Sequence, residues 1–148
     1  MSVGVAILGS TGSIGRSTLQ VLSRQRDRFR VVALTGHSNG ALLAEQEKEW
    51  KPALVGLVDG GTRDSGLGIR RGRDCLVEAA THPDVRIVVN GIVGAAGLEA
   101  TLAALRAGKR VALANKETLV MAGELVVQAA REGEIGRASC RERVYGTV

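Results

Sequence analysis

Short apolar segments alternate with helical patterns along most of this chain of 148 residues. The apolar segments have the composition of strands that are buried on both faces of a parallel sheet. Between them, apolar residues recur every three or four positions, which indicates helices. This order predicts one α/β domain with a doubly wound parallel sheet. The predicted strands are 3–8, 30–35, 53–58, 85–89 and 110–114, and the predicted helices are one that begins at Ser13 and four at 40–50, 74–81, 96–107 and 117–131.

Three details of this prediction concern single segments. Segment 59–73 is rich in glycine, arginine and aspartate, and it is predicted to be a loop with one short extended piece near 67–70. The first and last helices are each predicted to bury one apolar stripe. These stripes are Ile14, Thr18, Val21 and Leu22 in the first helix, and Leu119, Ala122, Val126 and Ala130 in the last.

Composition argues against several classes of protein. The net charge is +5, but the arginines are scattered and aromatic residues make up only 2%, so a nucleic-acid partner is not expected. No segment has the roughly 20 apolar residues of a membrane span or the pattern of a secretory signal, which predicts a cytoplasmic protein without a membrane partner. The two cysteines lack metal-ligand spacing, and Cys75 is predicted to be a buried apolar residue rather than a nucleophile.

Gly9, Gly12 and Gly15 follow the first predicted strand at intervals of three. Gly9 suits a tight turn, Gly12 lets a pyrophosphate approach the backbone, and Gly15 permits close packing of helix and sheet. The helix N-terminus then offers free N–H groups and a positive dipole end to an anion. The alternative is a purely structural turn. If a phosphate binds, further donors are expected from the hydroxyls of Ser10, Thr11 and Ser13.

Polar residues and glycines follow three more of the predicted strands, at 36–39, 90–94 and 115–117. Ligands of such sheets bind at the carboxyl ends of the strands, so these loops predict one shared site. Loop 36–39 lacks the acidic residue that NAD sites use for the ribose, which favours NADP(H), although His37 could equally be an exposed loop residue. Asn115 suits a helix N-cap, and Lys116 is either a cation in the crevice or an ordinary surface lysine.

The segments ILGSTGSIGRSTL, VVALTGHSN and IVGAAGLEATLAALRAGKRVALANKETLV occur in this order. Together they resemble the 1-deoxy-D-xylulose 5-phosphate reductoisomerase family over roughly residues 3–134. The resemblance implies a Rossmann-like, NAD(P)-binding fold with an NADPH-binding domain at 1–133. It implies that Lys116 contacts a sugar-phosphate substrate. It also implies cofactor contacts from Thr11, Gly12, Ser13, Ile14, His37, Ser38, Asn39, Asn115 and Glu117, although His37 and Ser38 replace a Gly-Lys pair found in some members.

In that family, 1-deoxy-D-xylulose 5-phosphate rearranges its carbon skeleton, and NADPH then reduces the resulting aldehyde to 2-C-methyl-D-erythritol 4-phosphate. This reaction belongs to non-mevalonate isoprenoid biosynthesis, and a divalent metal, Mg²⁺ or Mn²⁺, polarises the substrate oxygens. The metal ligands lie in an Asp-Ser-Glu motif that this sequence lacks. The resemblance therefore implies no catalytic and no metal-binding residue here, and NADPH binding without activity. For the complete enzymes it implies a bacterial cytoplasmic homodimer.

The last residues, EIGRASCRERVYGTV at 134–148, depart from the family pattern. They lack helical and strand periodicity and resemble the conceptual translation of a sequencing-library adapter. They are predicted to be a disordered, non-native tail, and the alternative is a genuine divergent tail. Two other functions stay open: a different NADP-dependent dehydrogenase, similar to semialdehyde or homoserine dehydrogenases, and a non-catalytic nucleotide-binding module.

Overall fold

The computed structural model describes residues 2–59, 70–92, 94–114 and 116–133. Within these residues strands alternate with helices, as the sequence predicts. The strands are β1 (Val3–Leu8), β2 (Phe29–Gly36), β3 (Leu54–Leu57), β4 (Arg70–Arg71), β5 (Ile87–Asn90) and β6 (Arg110–Leu113). The helices are α1 (Ser13–Ser23), α2 (Gly40–Trp50), α3 (Asp74–Thr81), α4 (Ala95–Arg106) and α5 (Lys116–Glu132).

The strands form one sheet in the order β4-β3-β2-β1-β5-β6, and every neighbouring pair is parallel. The chain builds the sheet outward from β1 through β2, β3 and β4, and then returns to the other side of β1 with β5. This reversal confirms the doubly wound fold. In such sheets, ligands bind in the crevice at the carboxyl ends of the two strands where the order reverses, which here are β1 and β5.

Helices cover both faces of the central strands. Val5 and Ile7 of β1 pack in one core cluster with Leu19 and Leu22 of α1 and with Leu43 of α2. The alternate residues of β1 belong to a second cluster that includes residues of α3, α4 and α5. Successive side chains of a strand point to opposite faces, so a strand between two helical layers needs apolar residues at every position. This requirement explains the uninterrupted apolar composition of β1.

The predicted stripe of α1 is wrong in two of its four residues. Ile14 and Val21 are 45% and 57% exposed, whereas the buried residues of α1 are Gly15, Leu19 and Leu22. The buried face is centred on Gly15 because the missing side chain brings α1 against the loop after β1. A glycine adds nothing to an apolar pattern, so the stripe predicted from the apolar residues lies about a quarter of a turn away from the buried face.

The last helix follows the prediction more closely. Ala122, Val126 and Ala130 are buried as predicted, and the side chain of Leu119 lies outside the described residues. The backbone of α5 is non-helical at Ala122, with φ −140° and ψ 28°, and this kink was not predicted.

Segment 59–73 contains a short strand. β4 pairs with Gly56 and Leu57 of β3, next to the extended piece predicted near 67–70. Residues 60–69 lie outside the described residues, as does the predicted tail at 134–148. No described helix combines the length and the apolar character needed to cross a bilayer.

Cys75 is buried, 1% exposed, in the layer between α3 and the sheet. A Cβ atom on Gly56 would lie 2.6 Å from the Cys75 Sγ, so the glycine in β3 makes room for the thiol. Burial, with a smaller contribution from the carboxylates of Glu78 and Asp74, raises the pKa of the thiol from 9.0 to about 11. Cys75 is therefore a packing residue, as predicted, since the thiolate is the reactive form.

This environment predicts an unreactive thiol in the folded chain. We expect Cys75 of a Cys140→Ser variant to react with a disulfide reagent at pH 8 at least about a hundredfold more slowly than in urea, because only the thiolate attacks. Equal rates in the two states would contradict the assignment. Because the thiol of the unfolded chain ionises at lower pH than that of the folded chain, this group also lowers the free energy of unfolding as the pH rises above about 9.

Candidate functional site

The loop after β1 turns sharply at Gly9, which has φ +83°. The backbone N–H groups of Gly9 and Ser10 both donate to the Thr35 carbonyl at the end of β2, over 3.0 and 2.7 Å. The Gly9 N–H also lies 3.2 Å from the Thr35 hydroxyl oxygen. A Cβ atom on Gly15 would overlap the Gly9 carbonyl oxygen and the Ser10 Cα. The structure thus confirms the predicted roles of Gly9 in the turn and of Gly15 in close packing.

Gly12 is the N-cap of α1, with extended backbone (φ −77°, ψ 176°) and no side-chain cap. The first N–H groups of a helix lack intrahelical partners, and an anion in front of them is stabilised by those donors and by the helix dipole. A Cβ atom on Gly12 would meet only the Gly9 carbonyl oxygen, at 3.5 Å, so the approach to the backbone is open. Ser13 and Ile14 are exposed beside it. This helix end has the geometry of a phosphate site.

Ser10 differs from its predicted role. It is fully buried, and its hydroxyl donates to the Gln46 Oε1 over 2.7 Å. The Gln46 Nε2 donates to the Ser10 carbonyl over 2.9 Å. The Ser10 hydroxyl therefore faces α2 and is not a donor for a ligand. Thr11 is half-buried. Its side chain lies beside the start of the second loop, because a Cβ atom on Gly36 would be 3.3 Å from the Thr11 Oγ1.

The second loop presents His37, Ser38 and Asn39, all of them exposed. The Asn39 Oδ1 accepts a hydrogen bond from the Leu42 N–H over 3.1 Å and caps α2. Only the amide Nδ2 of Asn39 is left to donate to a ligand. The Asp59 N–H donates to the His37 carbonyl over 2.6 Å, which places an acidic residue beside this loop that sequence spacing did not indicate.

The third loop is held from inside the protein. Asn90, 2% exposed, donates from its Nδ2 to the Gly97 carbonyl over 2.8 Å and to the Thr101 Oγ1 over 2.7 Å. Its Oδ1 accepts from the Ile92 N–H over 2.9 Å. Asn90 was predicted to belong to the ligand edge, but its side chain joins β5 to α4 instead. Gly94, with φ +84°, begins α4 without a side-chain cap.

The fourth loop is described only in part. The Ala114 N–H donates to the Asn90 carbonyl over 3.2 Å, so the end of β6 lies beside the end of β5. Asn115 lies outside the described residues, and α5 begins at Lys116. The side chains of Lys116 and Glu117 are not described, so their predicted contacts stay predictions. Their backbone positions are on the same edge of the sheet as the glycine loop.

The role of Gln46 is not visible in the sequence, because a buried glutamine in a polar helix has the same pattern as a surface residue. Asn90 carried one usable signal, since it is the polar residue that closes an otherwise apolar strand.

Within the described part of the chain, no group of three or more histidine, cysteine, aspartate or glutamate side chains could hold a metal ion. The described part of the site thus has donors for an anionic ligand.

Comparison with known proteins adds to this geometry. A family model described as 1-deoxy-D-xylulose 5-phosphate reductoisomerase matches residues 5–123. The reductoisomerase of Symbiobacterium thermophilum is 47% identical over an alignment that covers 88% of this chain and 37% of that protein. The chain thus spans a little over a third of the length of the curated relatives it matches.

Solved structures agree in fold. The reductoisomerase of Zymomonas mobilis in complex with NADPH superposes with a TM-score of 0.83 at 41% identity, over 91% of this chain and 38% of that one. A reductoisomerase in complex with magnesium gives 0.83 at 42% identity, over 91% of this chain and 36% of that one. A homoserine dehydrogenase of Thiobacillus denitrificans gives 0.58 at 21% identity, over 91% of this chain and 28% of that one, and this likeness shows the fold alone.

These matches decide among the families that the sequence left open. The family model covers most of the chain, and the relatives and solved structures named above that are more than 40% identical to this chain are reductoisomerases. The fold is the Rossmann-like, NAD(P)-binding α/β fold of these neighbours. The chain belongs to the 1-deoxy-D-xylulose 5-phosphate reductoisomerase family.

Proposed function

We propose that this chain is the NADPH-binding part of a reductoisomerase that converts 1-deoxy-D-xylulose 5-phosphate to 2-C-methyl-D-erythritol 4-phosphate. One observation carries the proposal. The N-terminus of α1, at the carboxyl ends of β1 and β2, has no side-chain cap and is accessible to a ligand at Gly12. The chain that carries this helix end is 41% identical to a reductoisomerase solved with NADPH. An exposed loop with donor side chains lies beside it at His37 and Ser38.

Each loop then has its own part in holding the cofactor. The segment Thr11–Ile14 binds the pyrophosphate, and the donors at the start of α1 are the N–H groups of Ser13 and Ile14, because the Gly12 N–H donates to the Gly9 carbonyl over 3.2 Å. His37, Ser38 and the Nδ2 of Asn39 donate to the 2′-phosphate of the adenosine ribose. Asn115 and Glu117 contact the cofactor near the start of α5, and Lys116 binds the sugar phosphate. When bound, NADPH supplies the hydride for the reduction.

The described residues do not fit the metal of the family, since they contain no group of three metal-ligating side chains. We propose that the metal ligands and the catalytic groups belong to the part of the relatives that this chain does not match. Dimer formation and a cytoplasmic location, expected for the complete enzymes, belong to the same proposal.

Titration with reduced nucleotides tests the binding function. We expect the 148-residue chain to bind NADPH at least about tenfold more tightly than NADH, because a 2′-phosphate adds hydrogen bonds to a charged group. Ser38→Asp should remove most of this preference by repulsion, while the control Ser17→Asp, at an exposed position of α1, should keep it. Added substrate and Mg²⁺ should cause no oxidation of NADPH.

Three results would contradict the proposal. NADH binding as tight as NADPH would overturn the assignment of His37–Asn39 to the 2′-phosphate. A Ser38→Asp variant that keeps the full preference would do the same. Oxidation of NADPH with formation of the product would show that this chain is active by itself.

A further inference from the structure

Gln46 and Ser10 form a pair of hydrogen bonds between α2 and the glycine loop. Both residues are buried, with 6% and 0% exposure, and each bond uses a different atom of the glutamine amide. A buried amide with both ends bonded to one residue fixes the distance and the orientation between the two elements. The two residues lie 36 positions apart in sequence, with α1 and β2 between them. The pair is therefore a tertiary contact between the glycine loop and α2.

We propose that Gln46 is a positioning residue of the cofactor site, and this inference rests on the proposed function. Ser10 lies between the turn at Gly9 and the N-cap at Gly12, so its position sets the direction of the N–H groups at the start of α1. Without the amide of Gln46, the Ser10 carbonyl and hydroxyl lack partners in the interior, and the loop rotates to satisfy them.

The same residue links the two loops that hold the cofactor. α2 starts directly after Asn39, and Gln46 lies about two turns further along this helix. The helix therefore carries the 2′-phosphate loop at its start and the partner of Ser10 on its buried face. Gln46 sets the separation between the pyrophosphate site and the 2′-phosphate site.

The loop keeps a second anchor when Gln46 is changed. The Gly9 and Ser10 N–H groups are bonded to the Thr35 carbonyl, and these bonds do not involve α2. We therefore expect a Gln46→Met variant, which keeps the length of the side chain, to fold and to hold the loop in an altered orientation. The matched control is Gln20→Met, at an exposed position of α1.

The experiment compares two nucleotides on the 148-residue chain. Gln46→Met should weaken NADPH binding about tenfold and change binding of adenosine 2′-monophosphate, which has no pyrophosphate, by less than about twofold. Gln20→Met should change neither. Unchanged NADPH affinity in Gln46→Met would overturn the inference, as would equal losses for the two nucleotides.

Hydrogen exchange of the free chain tests the same inference without a ligand. The amide of Gly12, whose N–H donates to the Gly9 carbonyl over 3.2 Å, should exchange at least about fivefold faster in Gln46→Met than in Gln20→Met, and equal exchange would overturn the positioning role. Failure of the unaltered chain to bind NADPH would contradict the proposed function, while the exchange rates would still decide whether Gln46 positions the loop.

Gln46→Glu provides a second variant with a pH signature. A protonated carboxyl can donate to the Ser10 carbonyl and accept from its hydroxyl, whereas a carboxylate can only accept. Burial raises the pKa of a carboxyl. At low pH, Gln46→Glu should therefore bind NADPH about as tightly as the control Gln20→Glu. As the pH rises, the affinity of Gln46→Glu relative to this control should fall. A ratio independent of pH would contradict the donor role of the Gln46 amide.

Discussion

Replacing Gly15 by alanine is expected to destabilise the fold by about 3 kcal/mol and to weaken NADPH binding at least about a hundredfold. The added Cβ would overlap the Gly9 carbonyl oxygen and the Ser10 Cα, and both are backbone atoms that cannot rotate away. α1 would have to move off the loop, and its N–H groups would move with it. Helix propensity alone predicts the opposite sign, a gain of up to about 1 kcal/mol on replacing glycine by alanine.

Gly12→Ala is the matched control. At this position the Cβ would meet only the Gly9 carbonyl oxygen at 3.5 Å, and the backbone conformation is one that alanine adopts readily. We expect the free energy of unfolding to change by no more than about 1 kcal/mol, the usual cost of alanine at an N-cap. NADPH binding should nevertheless weaken at least about tenfold, because the methyl group lies in the approach to the pyrophosphate site.

Urea unfolding and NADPH titration of the two variants separate packing from ligand access. A Gly15→Ala chain as stable as the original would show that α1 can shift at little cost. A Gly12→Ala chain with unchanged NADPH affinity would remove Gly12 from the cofactor site.

The second large effect is expected at Asn90. Substitution by leucine keeps the branching and the number of side-chain heavy atoms, but it removes the hydrogen bonds to the buried Gly97 carbonyl and Thr101 hydroxyl and to the part-buried Ile92 N–H. An unpaired buried polar group costs about 1–3 kcal/mol, so we expect Asn90→Leu to lower the free energy of unfolding by about 3 kcal/mol or more. Urea denaturation measures this loss directly.

Thr101→Val supplies the partial control for Asn90. It removes one of the three partners and should cost about 1 kcal/mol. The double variant should be more stable than the sum of the single losses predicts, because two apolar side chains then face each other without an unpaired group. An Asn90→Leu chain within about 0.5 kcal/mol of the original would contradict the structural role of this network.

The sequence predicted the fold closely, for a physical reason. Strands buried on both faces must be apolar throughout, and helices between them keep their own period, so the alternation is visible without a structure. The bounds predicted for α2 and α3 match the structure at 40–50 and 74–81. The glycine loop was equally visible, because a turn with positive φ and a close contact between backbones both require glycine.

The buried polar residues could not be predicted in the same way. Ser10 was expected to donate to a ligand, yet its hydroxyl is bonded to Gln46, 36 positions away. Asn90 was expected at the ligand edge, yet its side chain is bonded to α4. Apart from the position of Asn90 at the end of an apolar strand, composition and spacing contain no sign of which polar side chain finds an internal partner, because that depends on the packing of elements far apart in sequence. The misplaced stripe of α1 has a different cause, since Gly15 contributes no side chain to the apolar pattern although it lies at the contact with the loop after β1.

Thr35 has a consequence for the entropy of ligand binding. Fixing the backbone of one residue costs roughly 1–2 kcal/mol of conformational entropy at room temperature, and glycine loses the most. The bonds from Gly9 and Ser10 to Thr35 restrict the start of the glycine loop as soon as β1 and β2 pair, without any ligand. That part of the entropy loss belongs to folding and does not subtract from the free energy of binding. A segment that is among the most flexible in the unfolded chain therefore meets its ligand already ordered.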